Sequence, residues 1–276
     1  MTLPGLAWRL GLLCLVFLAL APVQLAATRG TGRLAGRLPV LFHRLFLRVF
    51  GIRVTVRGEP PAGPTLVLAN HVSWLDVPVI ASLRPLSFIA KQEISAWPVV
   101  GGLSRLQRCI FLDRSRKVAT AEVNALVAGR LAAGDAIVLF PEGTTGDGLR
   151  LLPFRSSLVG AARAALADPT LEAICLQPLA IAYTARNGLP VSRRDMPDIA
   201  WYGDMDLKPH LSGFVRHGPI DVTVVWGEPI PFDAATDRKR ATAAAEASVR
   251  AALQAVRNVA AVPAAAPPIL LRPALS

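Results

Sequence analysis

His71 and Asp76 lie five positions apart in the stretch Leu66-Val67-Leu68-Ala69-Asn70-His71-Val72-Ser73-Trp74-Leu75-Asp76. Their types make a proton-moving pair. A carboxylate that takes the Nδ1 proton of an imidazole fixes its tautomer and leaves Nε2 with a lone pair, able to remove a proton from a bound hydroxyl. Imidazole as a type suits that task because it titrates near neutral pH. By itself the pair also fits a structural contact, since ion pairs of this kind serve structure as often as catalysis. A second stretch, Ala136 to Gly148, brings Glu142, Gly143 and Thr144 in a Phe-Pro-Glu-Gly-Thr turn. Gly and Thr are turn formers, so an ordinary strand exit would read the same way. Two such turns, each closing an apolar run and each carrying ionisable groups, point to one shared site.

The elements that must hold these groups follow from periodicity. Pro64–Ala69 and Ala136–Phe140 are short, unbroken apolar runs, the pattern of strands buried on both faces. They deliver the polar groups at strand C-terminal ends, where α/β folds place their sites. Asn70 or Ser73 can cap a helix opening near Asp76. Further strands are predicted at Ile52–Val56, Leu86–Lys91, Cys109–Leu112, Ile174–Tyr183 and Asp221–Trp226. Helices are predicted at Val77–Leu83, Val118–Ala133, Ser156–Ala167 and Arg238–Val259. This alternation predicts an α/β fold, a mainly parallel sheet flanked by helices.

Four blocks then fall in a recognisable order. They are Asn70–Asp76 (NHVSWLD), Gly101–Ser115 (GGLSRLQRCIFLDRS), Phe140–Thr144 (FPEGT) and Leu176–Tyr183 (LQPLAIAY). Together they resemble the glycerolphosphate acyltransferase superfamily, which includes 1-acylglycerol-3-phosphate acyltransferases and lyso-ornithine lipid O-acyltransferases. The likeness extends over about residues 60 to 230. It implies that His71 is a general base oriented by Asp76, attacking through the acceptor hydroxyl with no acyl-enzyme. It implies substrate-binding roles for Asn70, Ser73, Glu142, Gly143 and Thr144, and contact of Arg114 with an acceptor phosphate. A guanidinium fork suits paired phosphate oxygens. The co-substrate is an acyl thioester of acyl carrier protein or coenzyme A, the acceptor a lysolipid, and no other cofactor is expected.

One departure matters. Relatives that use a phosphate acceptor carry Arg after Glu-Gly-Thr, whereas this chain has Thr145, then Gly146-Asp147-Gly148. Either Arg150 or Arg155 substitutes, or the acceptor lacks a phosphomonoester. The latter resembles the lyso-ornithine lipid enzymes, whose acceptor hydroxyl lies on a 3-hydroxyacyl chain. Asp198, Asp204 and Asp206 beside Trp201 and Tyr202 would suit a cationic headgroup, and equally a solvated loop. Phosphatidic acid or ornithine lipid, or both, are the expected products. The rival is a membrane-attached lipid-binding scaffold with a retired site.

Bulk properties agree with a membrane enzyme. Hydrophobic residues make up 53% of the 276 residues, and the formal net charge is +11. That combination fits an anionic lipid surface. Nucleic acid is not expected, because the basic residues are dispersed and no nucleic-acid motif occurs. Residues 10–27 carry no charge and span about 27 Å as a helix, near the ~30 Å hydrocarbon core. Arg9 alone precedes them, while Arg29, Arg33 and Arg37 follow. The positive-inside rule then keeps the body of the chain at the cytoplasmic face of the inner membrane. A signal peptide would look similar. An uncleaved anchor is favoured by cytosolic acyl donors and by Cys14, Cys109 and Cys175, read as buried free thiols.

Residues 33–50 form a basic amphipathic helix whose arginines either face lipid phosphates or edge a packed helix. The chain thus divides into a membrane anchor at 1–50, an acyltransferase domain at 51–259 and a loose Ala/Pro tail at 260–276. No metal site is expected, since His210 and His217 lack ligand spacing with the aspartates. No nucleophile elbow and no P-loop occur.

Overall fold

A computed structural model describes residues 3–28, 34–112, 117–167, 171–216 and 218–260. The chain opens with α1 (Leu3–Ala27) and α2 (Leu34–Phe50), then β1 (Ile52–Arg57), β2 (Thr65–Ala69), α3 (Asp76–Ala81) and β3 (Ser87–Lys91). Next come α4 (Val100–Leu106), β4 (Ile110–Leu112), α5 (Lys117–Ala132), β5 (Ala136–Leu139) and α6 (Gly160–Ala165). The last third holds β6 (Ile174–Arg186), β7 (Leu189–Pro190), α7 (Met196–Ile199) and α8 (Leu207–Arg216). It ends with β8 (Ile220–Trp226), β9 (Ile230–Phe232) and α9 (Arg238–Ala260).

The sheet runs β1-β8-β6-β2-β5-β3-β4, with β7 and β9 paired to β6. Pairs along this order are parallel except β6 with β8. The fold is therefore mixed α/β with a mainly parallel sheet flanked by helices. Strands β2 and β5 lie at its centre, and every residue in both is buried. This follows from their apolar runs, Leu66–Ala69 and Ala136–Leu139: a strand covered on both faces has no polar side, and Thr65 at the start of β2 spends its hydroxyl on the Gly63 carbonyl. Alternation divides their side chains between two cores. Val67 and Val138 face α2 and α3, packing with Phe50, Leu75 and Val79. Leu66, Leu68 and Leu139 face α5, α6 and α9, packing with Leu131, Ala162 and Leu253.

Helix α1 is apolar over Trp8–Ala27, with a mean hydropathy of 2.3. Leu15 and Leu18 are 66% and 62% exposed, so no protein among the described residues covers this face. An uncovered apolar helix of that length is compatible with membrane association. Its C-terminal end is tied to the domain. Pro22 lies within the helix, and the Gln24 Nε2 donates to the carbonyls of Ala35 and Leu106, each at 2.8 Å.

Helix α2 packs on the domain, the second of the two readings given by its sequence. Val40, Leu47 and Phe50 are buried against the domain, while Leu34 and Leu41 remain exposed. Arg37 and Arg48 face outward. Arg44 does not join them: its Nε donates to the Ser82 carbonyl at 2.9 Å, so this arginine holds α2 to α3 rather than reaching lipid. Arg33 lies outside the described residues.

Several elements differ from expectation. Helix α4 contains Gly101 and Gly102 and is only about two turns long, too short to show a period. Helix α8, for which no helix was predicted, packs Phe214 on Trp74 at 5.4 Å. Cys14 is exposed on α1 rather than buried, because it lies on a face of that helix that no described residue covers. Cys109 is half-buried and desolvation pushes its thiol up to about 12, which leaves it inert. The tail from 261 onward lies outside the described residues.

Candidate active site

Strand β2 ends at Ala69, and Asn70 closes it. The Asn70 side chain donates from Nδ2 to the Ile181 carbonyl at 3.0 Å and accepts from the Ile181 N–H at Oδ1, at 2.8 Å. An amide has one donor end and one acceptor end, so it substitutes for a ladder pair where the backbone turns away. Asn70 thus clamps β2 to β6 and aims the next residue out of the sheet.

That residue is His71, at the carboxyl end of the strand as the apolar run predicted. Its Nδ1 lies 2.8 Å from Asp76 Oδ2. The same oxygen accepts from the N–H groups of Val72 at 2.7 Å and Ser73 at 3.0 Å. Tyr183 donates its hydroxyl to the other oxygen at 2.6 Å. Asp76 is fully buried, and these donors replace the water it has lost. The carboxylate can only accept, so Nδ1 carries the proton and Nε2 the lone pair. Burial, first of all, raises the Tyr183 phenol well above its ordinary value, helped by the adjacent Asp76 charge; it remains a donor. Ser73 is buried, and its hydroxyl makes no hydrogen bond among the described residues.

Glu142 occupies a different place from the one its type suggested. It is 3% exposed, with Oε1 accepting the His71 N–H at 2.7 Å and Oε2 accepting the Leu152 N–H at 3.1 Å. Desolvation raises its carboxyl from 4.5 to about 7, against the two backbone donors that lower it. With both oxygens engaged on the main chain, Glu142 positions the turn rather than presenting a free carboxylate. The same loop returns the hold: Gly146 N–H donates to the His71 carbonyl at 2.8 Å. Both peptide groups of His71 are therefore gripped by the Glu142–Gly146 loop. Gly143 stands at φ 78°, a left-handed conformation that this tight exit from β5 requires.

Phe140 finishes the setting. Its ring stacks on the imidazole at 3.8 Å between centroids and 11° between planes, and Phe88 stacks behind it at 6.2 Å. His71 is partly open, with 19% of its side chain exposed. It lines a cavity of about 790 Å³ whose walls also include Phe17, Phe42, Phe46, Trp74, Thr144 and Thr145. The N-terminal helices thus roof the site. Trp74 is fixed there by His210, whose Nδ1 accepts from the indole N–H at 3.1 Å while its Nε2–H donates to the Ala200 carbonyl at 3.0 Å. His210 is a structural prop, kept neutral by burial, which lowers its pKa. A smaller cavity of about 410 Å³ shares His71 as a wall and is bordered by Arg150, Arg193 and Arg257.

The structure thus brings His71, Asp76, Ser73, Glu142, Gly143 and Thr144 together. Arg114 and His217 lie outside the described residues. Asp198 does not join Asp204 and Asp206, because it pairs with Arg186 at 3.0 Å. Trp201, Tyr202 and Gly203 line the larger cavity. Tyr183 was visible in the sequence as the last letter of the fourth block, but nothing there linked it to Asp76.

An imidazole oriented by a carboxylate thus sits under an apolar roof, at the strand ends of an α/β sheet. The chain belongs to the acyltransferase family, whose model matches residues 52–182. It is 44% identical to a lyso-ornithine lipid O-acyltransferase of Brucella abortus over 86% of this chain and 89% of that protein. It is 43% identical to a 1-acyl-sn-glycerol-3-phosphate acyltransferase of Neisseria gonorrhoeae over 36% and 39% of the two chains. In fold it is similar to the crystal structure of the 1-acyl-sn-glycerophosphate acyltransferase of Thermotoga maritima. That match has a TM-score of 0.59 and 21% identity, covering 89% of this chain and 95% of that one.

Proposed function

We propose that this acyltransferase moves a fatty acyl group from an acyl thioester to the free hydroxyl of a lysolipid, with lyso-ornithine lipid as the preferred acceptor. The observation that carries the reading is the His71 imidazole, its tautomer set by Asp76, opening into a large apolar cavity. A lysolipid enters from the bilayer beside α1 and α2 with its hydroxyl at His71 Nε2. The imidazole removes the proton as the oxygen attacks the thioester carbonyl, a contribution of typically 10²–10⁴-fold. Collapse of the tetrahedral intermediate expels the thiolate, which recovers the proton from His71. Thr144 and Thr145 border the cavity beside the imidazole, so their main-chain amides are the nearest candidates to steady the oxyanion.

Two features favour the ornithine acceptor: Thr145 stands where a phosphate-reading Arg is usual, and the long-range relative bears that activity in its name. The shorter Neisseria match supports 1-acyl-sn-glycerol-3-phosphate as a second acceptor, with Arg114 reading its phosphate. The donor is an acyl carrier protein or coenzyme A thioester, and the arginine-bordered smaller cavity suits the phosphate on its arm. Charge asymmetry around α1 favours catalysis at the cytoplasmic face of the inner membrane.

The test is the purified protein with labelled acyl-carrier-protein thioester, offered each lysolipid separately. Labelled ornithine lipid should form fastest. Faster labelling of phosphatidic acid would reverse the acceptor assignment, and transfer to neither would overturn the reading.

A further inference from the structure

The larger cavity opens at a lip of apolar side chains. On one side, Trp97 and Val99 stand just before α4; on the other, Trp201 and Tyr202 precede α8 and Leu211 lies on it. Trp97 and Trp201 meet edge to face, with ring centroids 6.2 Å apart. All five residues line the cavity, yet Val99 is 75% exposed, and Trp97, Tyr202 and Leu211 are 37%, 38% and 38% exposed. Side chains that face both a cavity and the outside mark its mouth.

The backbone holds Val99 there against its own preference. It stands at φ 64° and ψ −56°, and the Val100 N–H donates to the Pro98 carbonyl at 2.7 Å. This is a γ-turn of the strained hand, which glycine adopts freely and a β-branched residue resists. Packing gives nothing back, since most of the residue is exposed. Strain kept at an exposed apolar residue points to a role outside the fold.

The surroundings identify what Val99 meets. Phe17 and Leu20 of α1 line the same cavity, and the exposed apolar face of that helix adjoins them. The Gln24 side chain ties the end of α1 to the Leu106 carbonyl at the end of α4. From Leu106 back to Val100 the helix rises about 9 Å, so the lip lies that far along α4 from the point where α1 ends. Trp and Tyr favour the interfacial level that the end of a membrane helix marks. Charges in segments 91–106 and 201–211 balance, with Lys91, Arg105 and Lys208 against Glu93, Asp204 and Asp206. The attraction is therefore apolar rather than electrostatic. A protein seated on the lip would close the mouth, whereas lipid keeps it continuous with the phase that holds the substrate.

We propose that the lip formed by Trp97, Val99, Tyr202 and Leu211 inserts into the headgroup layer of the bilayer, as a second membrane contact through which the lysolipid passes to His71. It adds to α1 and does not replace it, because a shallow lip of this size is a weak anchor by itself. The inference rests on the acyl-transfer reading above and gives the acceptor its route.

The test puts an environment-sensitive fluorophore on the thiol introduced by Val99→Cys, in full-length protein that also carries Cys14→Ser. Burial raises the Cys109 and Cys175 thiols, so the label goes to the introduced one. Ala235→Cys is the control. Phe232 pairs with Ile174 at the start of β6, which puts exposed Ala235 at the end of the sheet away from His71. The vesicles are phosphatidylcholine and phosphatidylglycerol with a nitroxide lipid labelled near its headgroup. The fluorophore at 99 should be quenched and the one at 235 should not. Transfer gives the second readout. The rate with vesicle-borne lysolipid, divided by that with micellar lysolipid, should fall about tenfold in Val99→Asp, the scale of burying one valine. Val99→Gly, which the turn accepts without strain, should lower the same ratio and serves where an aspartate impairs folding. An unquenched label at 99, or an unchanged ratio in the folded variants, would overturn the proposal. Absence of transfer from vesicles and micelles alike, with quenching intact, would instead sink the acyl-transfer reading.

Discussion

Asp76 is the most heavily bonded side chain of the site, with His71, two main-chain N–H groups and Tyr183 sharing its two oxygens. Replacing it by Asn keeps an acceptor oxygen on the Val72 and Ser73 N–H groups and on Nδ1–H, but removes the negative charge that stabilises the imidazolium formed when Nε2 takes a proton. Asp76→Asn should therefore lower kcat by at least about 10²-fold with little change in KM, measured by steady-state transfer. Tyr183→Phe removes one charge-assisted bond and should cost about tenfold in kcat, since such a bond contributes about 1.5–3 kcal/mol.

Glu142 gives a pH prediction. Its carboxyl moves from 4.5 to about 7 on folding, so the folded state holds that proton more tightly than the unfolded chain. Its contribution is fully present below 4.5 and is lost as pH rises through about 7, on the order of 3 kcal/mol. Thermal unfolding in detergent between those limits should show this decline, and Glu142→Gln should flatten it. An equal slope in the variant would assign the decline to another group. At this scale the sequence exposed His71 and Asp76 by spacing. It hid that Glu142 works through the backbone, because hydrogen bonds to main-chain N–H leave no mark in residue type.

Among elements, β2 and β5 were legible because burial on both faces leaves them apolar apart from Thr65 at the start of β2. The short helix α4 and the helix α8 were not. Seven residues with two glycines show no period, and α8 depends on a tertiary partner, Trp74, that its own sequence does not announce. Helices α1 and α2 were read as an anchor, yet they also wall the cavity through Phe17, Phe42 and Phe46. Deleting residues 1–50 should thus do more than release the protein from vesicles. Transfer to a micellar lysolipid should fall at least about tenfold as the roof of the site is lost. Flotation and activity are the two readouts. Retained activity would show that the domain forms the site unaided, and retained flotation would place the membrane contact on the domain itself.

The whole molecule joins an apolar, basic entrance to a polar catalytic end. The sheet lends its strand ends to His71 and the Glu142 loop, and the N-terminal helices wall the cavity above them. The α/β class was readable from alternation alone, whereas the antiparallel β6–β8 pair was not, because strand direction is set by connections that local pattern does not encode. On the proposed reading, Arg114 is the residue that discriminates acceptors. Arg114→Ala should raise KM for 1-acyl-sn-glycerol-3-phosphate by about tenfold or more and leave lyso-ornithine lipid nearly unaffected. Equal effects would remove Arg114 from headgroup recognition.

The most direct trial of the central claim is single-turnover acyl transfer by His71→Ala with saturating thioester and lysolipid. Loss of the general base should slow the chemical step by about 10²–10⁴-fold while the variant still floats with vesicles. A chemical step within a few-fold of the wild type would contradict the account, since another group would then be removing the proton.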